Sequence, residues 1–260
     1  MRLKDKKAIV TGGAHGIGKA IAKNFAKQGA EVCILDIDDK ASSEVVEDIK
    51  NNGGTAYTFH CDVGDSKQVN EAFSQSIDAM GGLNVLVNNT GIIRQSKVVD
   101  MEEDEWDLII RTNLKSVFLC TKRALNEMIP SKKRGRIISI SSIHAMISEP
   151  DCGHYTASKG GIEGFMRTVA SEVAPYGITA NFIRPGATYT ELTIPMYTES
   201  VKKSLYERVP LAEIAEADWI AHAAVFLASD ESRYMTGQDI TIDGGYSMNG
   251  SLPGATYWEE

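Results

Sequence analysis

The chain has 260 residues and a mass of 28.3 kDa, with 43% hydrophobic and 24% charged residues and a net charge of −8 at pH 7. This composition is that of an ordinary globular protein and excludes the disordered and fibrous classes. The acidic balance argues against nucleic acid or an anionic membrane surface as a partner, and the longest apolar run, six residues, is far shorter than the roughly 18 of a transmembrane helix.

Short apolar runs alternate with longer amphipathic stretches from the beginning of the chain. The apolar run 8–10 precedes a helical stretch at 17–27, and the run 32–35 precedes a second one at 42–50. The same alternation predicts five further strands, at residues 55–59, 83–87, 136–140, 179–183 and 239–242. This order predicts an α/β protein whose mostly parallel sheet is covered by helices on both faces.

The alternation is not interrupted by a linker, and we therefore predict one dinucleotide-binding and catalytic domain over residues 1–260. The segment 188–207 is rich in Thr, Tyr, Pro and Glu and follows a strand end, where open α/β sheets place ligand-binding loops. We interpret it as a substrate lid. Residues 251–260 follow the last strand and form a C-terminal tail.

The four cysteines, at positions 33, 61, 120 and 152, form neither a disulfide framework nor a CxxC pair. Cys152 and His154 lack the second pair of ligands that a zinc site needs, so no metal is predicted. The N-terminus also lacks the apolar core, about 7–15 residues long, of a secretory signal. These features predict a cytoplasmic protein with reduced thiols.

The first predicted strand runs into a glycine-rich loop between Thr11 and Gly18, and a helix follows. Glycine permits a positive φ and a close approach to a pyrophosphate, while the helix N-terminus supplies free N–H groups. Such a loop is typical of a dinucleotide site. Its spacing is not GxGxxG, however, and a plain tight turn is the alternative.

The second predicted strand ends at Asp36, 18 residues after Gly18, close to the ~20 expected for the acid that binds an adenosine ribose. A carboxylate there accepts hydrogen bonds from the ribose hydroxyls and repels a 2′-phosphate. No Arg or Lys stands at the next position, Ile37, and His15 is at most a weak cation. We therefore predict NAD rather than NADP. The alternative is that Asp36 only caps the next turn.

Tyr155 and Lys159 lie four residues apart in a stretch with helical periodicity, which places them on one helix face. A neighbouring ammonium and the positive nicotinamide of an oxidised cofactor would lower the pKa of the phenol, so that it could exchange a proton with an alcohol or carbonyl. Ser142 ends a predicted buried strand 13 residues before Tyr155. Taken alone, a tyrosine and a lysine at this spacing are also typical of an exposed helix surface.

Together these motifs resemble the short-chain dehydrogenase/reductase family across essentially the whole chain. The resemblance implies a three-layer, Rossmann-type doubly wound fold with a seven-stranded sheet, a nicotinamide dinucleotide cofactor and a homotetramer. The matching motifs are a TGxxxGxG loop, an Asp-Val pair, an NNAG-like segment, a helix asparagine, a serine, the YxxxK pair and a PGxxxT segment, at Thr11, Gly12, Gly16, Gly18, Asp62, Val63, Asn88 to Gly91, Asn113, Ser142, Tyr155, Lys159, Pro185, Gly186 and Thr190.

The resemblance also implies a role for each catalytic residue. Tyr155 is the acid/base, Lys159 lowers its pKa and binds the nicotinamide ribose, and Ser142 holds the reacting oxygen. Asn113 supports a proton relay toward Lys159. Thr90 stands where the family usually has Ala, which affects packing rather than chemistry. The predicted cofactor-binding residues are Gly12, His15, Gly16, Ile17, Gly18, Asp36, Asp62, Val63, Asn89, Gly91, Tyr155, Lys159, Pro185, Gly186 and Thr190.

The sequence around Ser142 and Tyr155 is polar, which suits a polyhydroxylated ligand better than a steroid or an acyl chain. The stretches SSIHA, HYTASKGG and PGATYT are similar to those of bacterial glucose 1-dehydrogenases within the family. We therefore predict oxidation of a sugar or polyol hydroxyl, with His144, Glu149 and His154 near the substrate. The alternative is that these three residues cover a solvated loop.

Two other functions share these motifs. The first is a 3-oxoacyl thioester reductase of the fatty acid branch of the family. The lack of a basic residue beside Asp36 counts against it, because such reductases usually use NADPH. The second is a dinucleotide-binding regulator without catalysis, which would not need the intact set of Ser142, Tyr155, Lys159 and Asn113.

Overall fold

The computed structural model describes residues 1–132 and 134–250, which form nine strands and eight α-helices. The strands are β1 (Lys7–Thr11), β2 (Glu31–Asp36), β3 (Thr55–His60), β4 (Val85–Asn88), β5 (Arg136–Ile140), β6 (Thr179–Pro185), β7 (Thr188–Tyr189), β8 (Ala215–Glu216) and β9 (Asp239–Ile242). The helices are α1 (Gly16–Lys27), α2 (Asp39–Asn51), α3 (Ser66–Met80), α4 (Glu103–Ile109), α5 (Ser116–Ser131), α6 (Gly153–Val173), α7 (Glu199–Arg208) and α8 (Ala217–Ala228).

Seven strands form one parallel sheet in the order β3-β2-β1-β4-β5-β6-β9. The chain order reverses between β1 and β4, which pair directly, with Ala8 opposite Val85. At such a reversal the carboxyl ends of the two strands open a crevice, and open α/β sheets bind ligands there. The doubly wound fold and the seven-stranded sheet predicted from the sequence are thus confirmed.

Helices cover both faces of the sheet because its central strands are apolar on both faces. Successive side chains of a strand point to opposite faces, so Ile9 and Val10 of β1 belong to two different cores. The core around Val10 lies under α1, α2 and α8, and the core around Ile9 lies under α3, α5 and α6. Because the helices cover both faces, a ligand can reach the sheet at the carboxyl ends of its strands.

Local signals set the ends of some helices. The Asp65 carboxylate accepts hydrogen bonds from the N–H groups of Lys67 and Gln68, at 2.7 and 3.2 Å, and so caps the start of α3. Gly81, with a φ of 68°, ends the same helix in the left-handed conformation that glycine adopts without strain. The chain then turns directly toward β4.

Two local features are absent from the sequence prediction. A π-helical turn, Ile110–Lys115, joins α4 to α5, and the short strands β7 and β8 pair in parallel. The predicted lid, 188–207, contains β7 and most of α7. Two-residue strands and single π turns have no periodicity of their own, so sequence patterns do not reveal them. The predicted tail, 251–260, lies outside the described residues.

Among the residues that the structure describes, no helix combines the length and the apolar character needed to cross a membrane.

Candidate active site

The glycine-rich loop between β1 and α1 forms a tight turn at the carboxyl edge of the sheet. Gly12 and Gly16 have φ values of 62° and 48°, which glycine adopts without strain. A side chain at Gly18 would overlap the carbonyl oxygen of Gly12. Because α1 begins at Gly16, its unsatisfied N–H groups lie at this loop. The exposed backbone and the helix N-terminus fit the pyrophosphate of a dinucleotide.

The NNTG segment after β4 holds this loop in place. The Asn89 side-chain amide donates to the carbonyl oxygens of Thr11 and Gly12, at 3.0 and 2.9 Å. The backbone N–H groups of Asn89 and Thr90 both donate to Thr11 Oγ1. Thr90 Oγ1 lies 3.0 Å from the Cβ position of Gly12. Asn89 and Thr90 therefore shape the glycine loop directly.

Asp36 lies at the end of β2, beside the glycine loop. Its Oδ2 accepts a hydrogen bond from the Ala14 N–H at 3.0 Å, and its Oδ1 accepts from the N–H groups of Ile37 and Asp38. The carboxylate thus caps the turn after β2 and is also held at the edge of the crevice. A second carboxylate, that of Asp38, lies 2.9 Å from His15 Nε2.

The Asp-Val pair follows β3 at the same edge. Asp62 accepts hydrogen bonds from the Gly64 N–H at 2.8 Å and from Arg111 Nη1 at 3.0 Å, and Val63 is buried. The Arg111 side chain also covers Gly64, whose Cβ position lies 2.9 Å from Nη1. Arg111 therefore orients Asp62, a contact between residues 49 positions apart that the sequence did not reveal.

The PGxxxT segment connects β6 to the predicted lid. Pro185 is the last residue of β6, and a Cβ on Gly186 would lie only 2.7 Å from the Cβ of Asp243. Thr190 packs against the glycine loop, with its Cβ and Cγ2 3.0 Å from the Cβ position of Gly16. The beginning of the lid therefore rests on the loop where the cofactor is expected.

Glu191, which no sequence motif indicated, contacts the N-terminus of α1. Its Oε2 accepts a hydrogen bond from the Gly16 N–H at 2.8 Å, and its Oε1 lies 3.8 Å from Lys19 Nζ. Ile17, another predicted cofactor residue, packs against the core behind the loop. A carboxylate of the lid therefore lies where the helix N-terminus favours an anion.

Ser142 and Tyr155 come together at the end of β5. Ser142 follows that strand and Tyr155 lies in the first turn of α6, and the Ser142 hydroxyl is close enough to lower the pKa of the Tyr155 phenol. The Ser142 Oγ also accepts a hydrogen bond from the His144 N–H at 3.1 Å. The two hydroxyls that the sequence singled out by spacing are thus neighbours.

Burial dominates the electrostatics of the tyrosine and the lysine. It raises the pKa of Tyr155 to about 12, from an ordinary 10.0, against the lowering effect of the Ser142 hydrogen bond. It also lowers the pKa of Lys159 to about 8. Lys159 Nζ donates to the Ile140 carbonyl oxygen at 2.9 Å and lies 5.5 Å from the Tyr155 ring centroid. Burial of the phenol outweighs the other effects in the protein by itself. That Lys159 and the oxidised nicotinamide together lower the pKa of Tyr155 stays a prediction.

Asn113 is fully buried in the π-helical turn. Its side-chain amide makes reciprocal hydrogen bonds with the Ile92 backbone, at 2.8 and 2.9 Å, and donates to Ser158 Oγ. Asn113 Oδ1 and Lys159 Nζ lie 3.6 and 3.4 Å from the Cβ position of Gly91. Any side chain at Gly91 would enter the space that these two groups border.

Two other serines, Ser139 in β5 and Ser141 just after it, contact α6. Ser139 Oγ contacts Met166 Sδ, and Ser141 Oγ donates to Glu163 Oε1 at 2.9 Å. Ser139 and Ser141 are two positions apart and therefore lie on the same face of the strand, toward α6.

Two of the three predicted substrate residues lie together beside Tyr155. The His144 ring packs edge-on against the Tyr155 ring, with centroids 6.4 Å apart, and its Nε2 lies 3.9 Å from Glu149 Oε2. His144 Nδ1 is buried without a hydrogen-bond partner, and burial lowers the pKa of the imidazole. The histidine therefore flanks the tyrosine, and the Glu149 carboxylate lies against the histidine.

The third predicted substrate residue, His154, is fully buried. Its Nδ1 accepts a hydrogen bond from the Tyr155 N–H at 3.0 Å, and its Nε2 lies 3.0 Å from Glu105 Oε1. Both ring nitrogens are in use, which leaves neither for a substrate. His154 differs from His144 because it lies on the face of α6 that packs against α4, a distinction that requires the tertiary structure.

Within residues 1–132 and 134–250, no group of three or more His, Cys, Asp and Glu side chains is arranged to hold a metal ion. The four cysteines are all buried and free.

The chain is similar in sequence to known reductases. The family described as enoyl-(acyl carrier protein) reductase matches residues 12–247. The chain is 36% identical over 244 residues to the 3-oxoacyl-[acyl-carrier-protein] reductase FabG of Staphylococcus aureus strain Mu50, covering 94% of this chain and 98% of that protein. It is 37% identical over 245 residues to the FabG of Thermotoga maritima, covering 94% and 99%.

Solved structures give the same family. A short-chain type dehydrogenase/reductase from Mycobacterium marinum has a TM-score of 0.90 and 33% identity, covering 94% of this chain and 96% of its own. A provisionally assigned gluconate dehydrogenase from Agrobacterium tumefaciens has a TM-score of 0.91 and 32% identity, covering 96% and 98%. The chain therefore belongs to the short-chain dehydrogenase/reductase family, enzymes that use a nicotinamide dinucleotide to oxidise alcohols or reduce carbonyl groups.

Proposed function

We propose that this enzyme transfers a hydride between NAD and a polar secondary alcohol or its ketone, with a sugar or polyol as the substrate class. The observation that carries this proposal is His144, which packs against Tyr155 and is itself 3.9 Å from the Glu149 carboxylate, because charged and hydrogen-bonding side chains suit a substrate rich in hydroxyl groups. The His144 side chain is 20% exposed, so that part of the imidazole is accessible to such a substrate.

The choice of NAD rests on the end of β2. Asp36 and Asp38 place two carboxylates beside the glycine loop, and the position between them is Ile37. A 2′-phosphate there would meet two carboxylates, with no Arg or Lys at position 37. His15, which already contacts Asp38, offers a cation when it is protonated.

A bound nicotinamide dinucleotide supplies the hydride acceptor for oxidation and the hydride donor for reduction. In oxidation, Ser142 and Tyr155 hold the substrate hydroxyl, and the Tyr155 phenolate takes its proton. In reduction, Tyr155 gives the proton to the carbonyl oxygen while the Ser142 hydroxyl stabilises the negative charge that develops there. Lys159 and Asn113 border the space at Gly91, and in this proposal they form the relay that carries the proton to and from Tyr155.

Because the pKa of Tyr155 is high, the rates of reduction and oxidation should depend on pH in opposite ways. A protonated phenol is the acid for reduction, and burial keeps the phenol protonated at neutral pH. Oxidation needs the phenolate, whose fraction grows as the pH rises toward the pKa. We therefore expect the oxidation rate to increase with pH through the alkaline range.

Reduction of a 3-oxoacyl thioester is the second candidate. The curated relatives from S. aureus and T. maritima carry that activity in their names, at 36% and 37% identity, and so support this candidate better than a sugar or polyol substrate. Both candidates use the same tyrosine, serine and lysine, so the residues that border the substrate have to distinguish them.

The deciding measurement is the initial rate with NAD and separately with NADP against aldoses, polyols and simple secondary alcohols, with the reverse reaction on a 3-oxoacyl thioester. We expect NAD-linked oxidation of a polyhydroxylated compound, and a kcat/KM for it that falls in His144→Leu and Glu149→Leu. Turnover confined to NADPH and the thioester would replace the proposal by the second candidate.

The homotetramer and the cytoplasmic location predicted from the sequence stay predictions. Light scattering of the purified protein would give a mass near four times 28.3 kDa for the tetramer.

A further inference from the structure

His154 is the buried titratable group nearest in sequence to Tyr155, and the proposed chemistry does not use it. It is fully buried, whereas His144, on the other side of the tyrosine, keeps 20% of its side chain exposed. Both nitrogens of the His154 ring are hydrogen-bonded. A histidine with no exposed surface and two fixed partners points to a role inside the protein.

The first of these hydrogen bonds is made to the backbone of Tyr155 itself. The N–H groups in the first turn of a helix have no partner within the helix. At the start of α6, the N-cap residue Cys152 makes no side-chain hydrogen bond to them. His154 Nδ1 instead accepts from the Tyr155 N–H at 3.0 Å. The ring therefore caps the amide of the residue that carries the proposed acid/base.

The second hydrogen bond anchors the ring to another helix. Because Nδ1 accepts, the ring proton lies on Nε2, which donates to Glu105 Oε1 at 3.0 Å. Glu105 belongs to α4, which leads into the π-helical turn that holds Asn113. The pair therefore joins the helix of Tyr155 and Lys159 to the segment that carries Asn113.

The chain before α6 is exposed over most of its length. Residues Met146, Ser148 and Pro150 are exposed and Asp151 has a φ of 62°, whereas Cys152 is buried and pairs through its backbone with Ser96. A shift of about 1 Å at a reacting group lowers the rate by up to ~100-fold. The orientation of the first turn of α6, which carries Tyr155, should therefore affect the catalytic rate.

We propose that His154 and Glu105 are positioning residues that hold the Tyr155 phenol against Ser142. This proposal rests on the role given to Tyr155 in the proposed function. It assigns His154 no contact with substrate or cofactor. It separates the two histidines that flank the tyrosine, since His144 borders the substrate and His154 sets the geometry.

Three variants test the two hydrogen bonds separately. His154→Leu removes both, His154→Asn keeps an acceptor for the Tyr155 N–H but loses Glu105, and Glu105→Gln keeps an acceptor for His154. We expect kcat to fall about 10- to 100-fold in His154→Leu, less in His154→Asn and least in Glu105→Gln, with the Kd for NADH unchanged. His222→Leu, an exposed histidine on α8, is the matched control.

A second readout does not depend on the substrate. In protein labelled with ¹³C at the tyrosine Cζ, the Tyr155 resonance is identified by its loss in Tyr155→Phe, and its chemical shift reports the contact with Ser142. We expect this resonance to move in His154→Leu and to stay near its position in Glu105→Gln. If His154→Leu does not fold, the same comparison is made with Glu105→Ala. The Glu105 side chain is 23% exposed, so its removal should disturb the fold less than a change at the fully buried His154.

A purely structural role would lower the melting temperature of His154→Leu and leave the Tyr155 resonance and kcat unchanged, which would overturn the proposal. Retained turnover in Tyr155→Phe would instead overturn the proposed function. The two failures are therefore distinguishable.

Discussion

At the scale of single residues, Tyr155 and Lys159 show how strongly burial governs this site. Burial moves the two pKa values apart, from 10.0 to about 12 for the tyrosine and from 10.5 to about 8 for the lysine. Each shift favours the neutral form of the group. The protein therefore holds a protonated phenol and a lysine that readily loses its proton, in a position to exchange protons with a substrate oxygen.

Tyr155→Phe removes the phenol and retains the ring. We expect turnover to be lost in both directions, because no other group replaces the proton donor, while the Kd for NADH changes little. Initial rates together with a fluorescence titration of NADH test this expectation. Retained turnover would show that another group carries the proton.

Asp36→Ala removes the carboxylate that we propose selects NAD over NADP. Since a hydrogen bond to a charged group contributes about 1.5 kcal/mol or more, we expect kcat/KM with NAD to fall about tenfold or more relative to that with NADP. Asp36→Asn is the control, because its amide oxygen still accepts from the Ala14 N–H. An unchanged ratio would remove Asp36 as the selector.

Lys159→Met tests the cost of the buried charge. The folded protein lowers the lysine pKa from 10.5 to about 8, so the unfolded chain binds the proton more tightly. Below pH 8 the charged lysine therefore destabilises the fold by up to about 3 kcal/mol. We expect the variant to be inactive and to melt at a higher temperature at pH 7. The gain should shrink between pH 8 and pH 10.5, and a constant difference would contradict this explanation.

At the scale of elements, the lid places a carboxylate at the N-terminus of α1, where the pyrophosphate of the cofactor is expected to bind. Glu191 contributes a carboxylate that accepts from the Gly16 N–H and lies near Lys19. A pyrophosphate bound at this loop would use the same positive end of α1. The element that follows β6 therefore affects cofactor binding through its charge as well as its shape.

Glu191→Gln keeps the size of the side chain and removes its charge. A charge near a helix N-terminus contributes about 0.3–1 kcal/mol, so we expect the Kd for NADH to fall about two- to fivefold. Glu199→Gln, in the same lid but paired with Lys202, is the matched control. A weaker affinity in Glu191→Gln would show that the carboxylate supports the bound cofactor.

At the scale of the whole molecule, a buried charge network connects the sheet to α6. The Glu163 carboxylate binds the Arg184 guanidinium at 2.6 Å through both oxygens, and Arg184 Nη1 lies 2.8 Å from Asp239 Oδ2. These residues belong to α6, β6 and β9. Because Ser141 also donates to Glu163, the network reaches the residue next to Ser142.

Arg184→Met leaves the Glu163 carboxylate buried without its main partner. Removal of one member of a buried pair costs about 3–5 kcal/mol, and we expect a corresponding loss in the free energy of unfolding. The double variant Glu163→Gln with Arg184→Met removes both charges and should be more stable than Arg184→Met alone. Urea unfolding measures the difference, and strictly additive losses would contradict the pairing.

The fold was accessible from the sequence because its strands are short, apolar and separated by helical periods. All seven strands of the central sheet were predicted, and the fold of the chain follows from that order. The lone π turn around Asn113 and the two-residue strands β7 and β8 were not, since neither produces a periodic pattern.

The fold and the family could be predicted from the sequence, and so could the candidate residues Ser142, Tyr155 and Lys159, because glycine loops, strand ends and helix spacing are local features of the chain. Long-range contacts became visible in the three-dimensional structure. It buried His154 against Glu105, left His144 at the cleft, placed Glu191 on α1 and raised the pKa of Tyr155. These outcomes depend on burial and on residues far apart in sequence, which no local pattern contains.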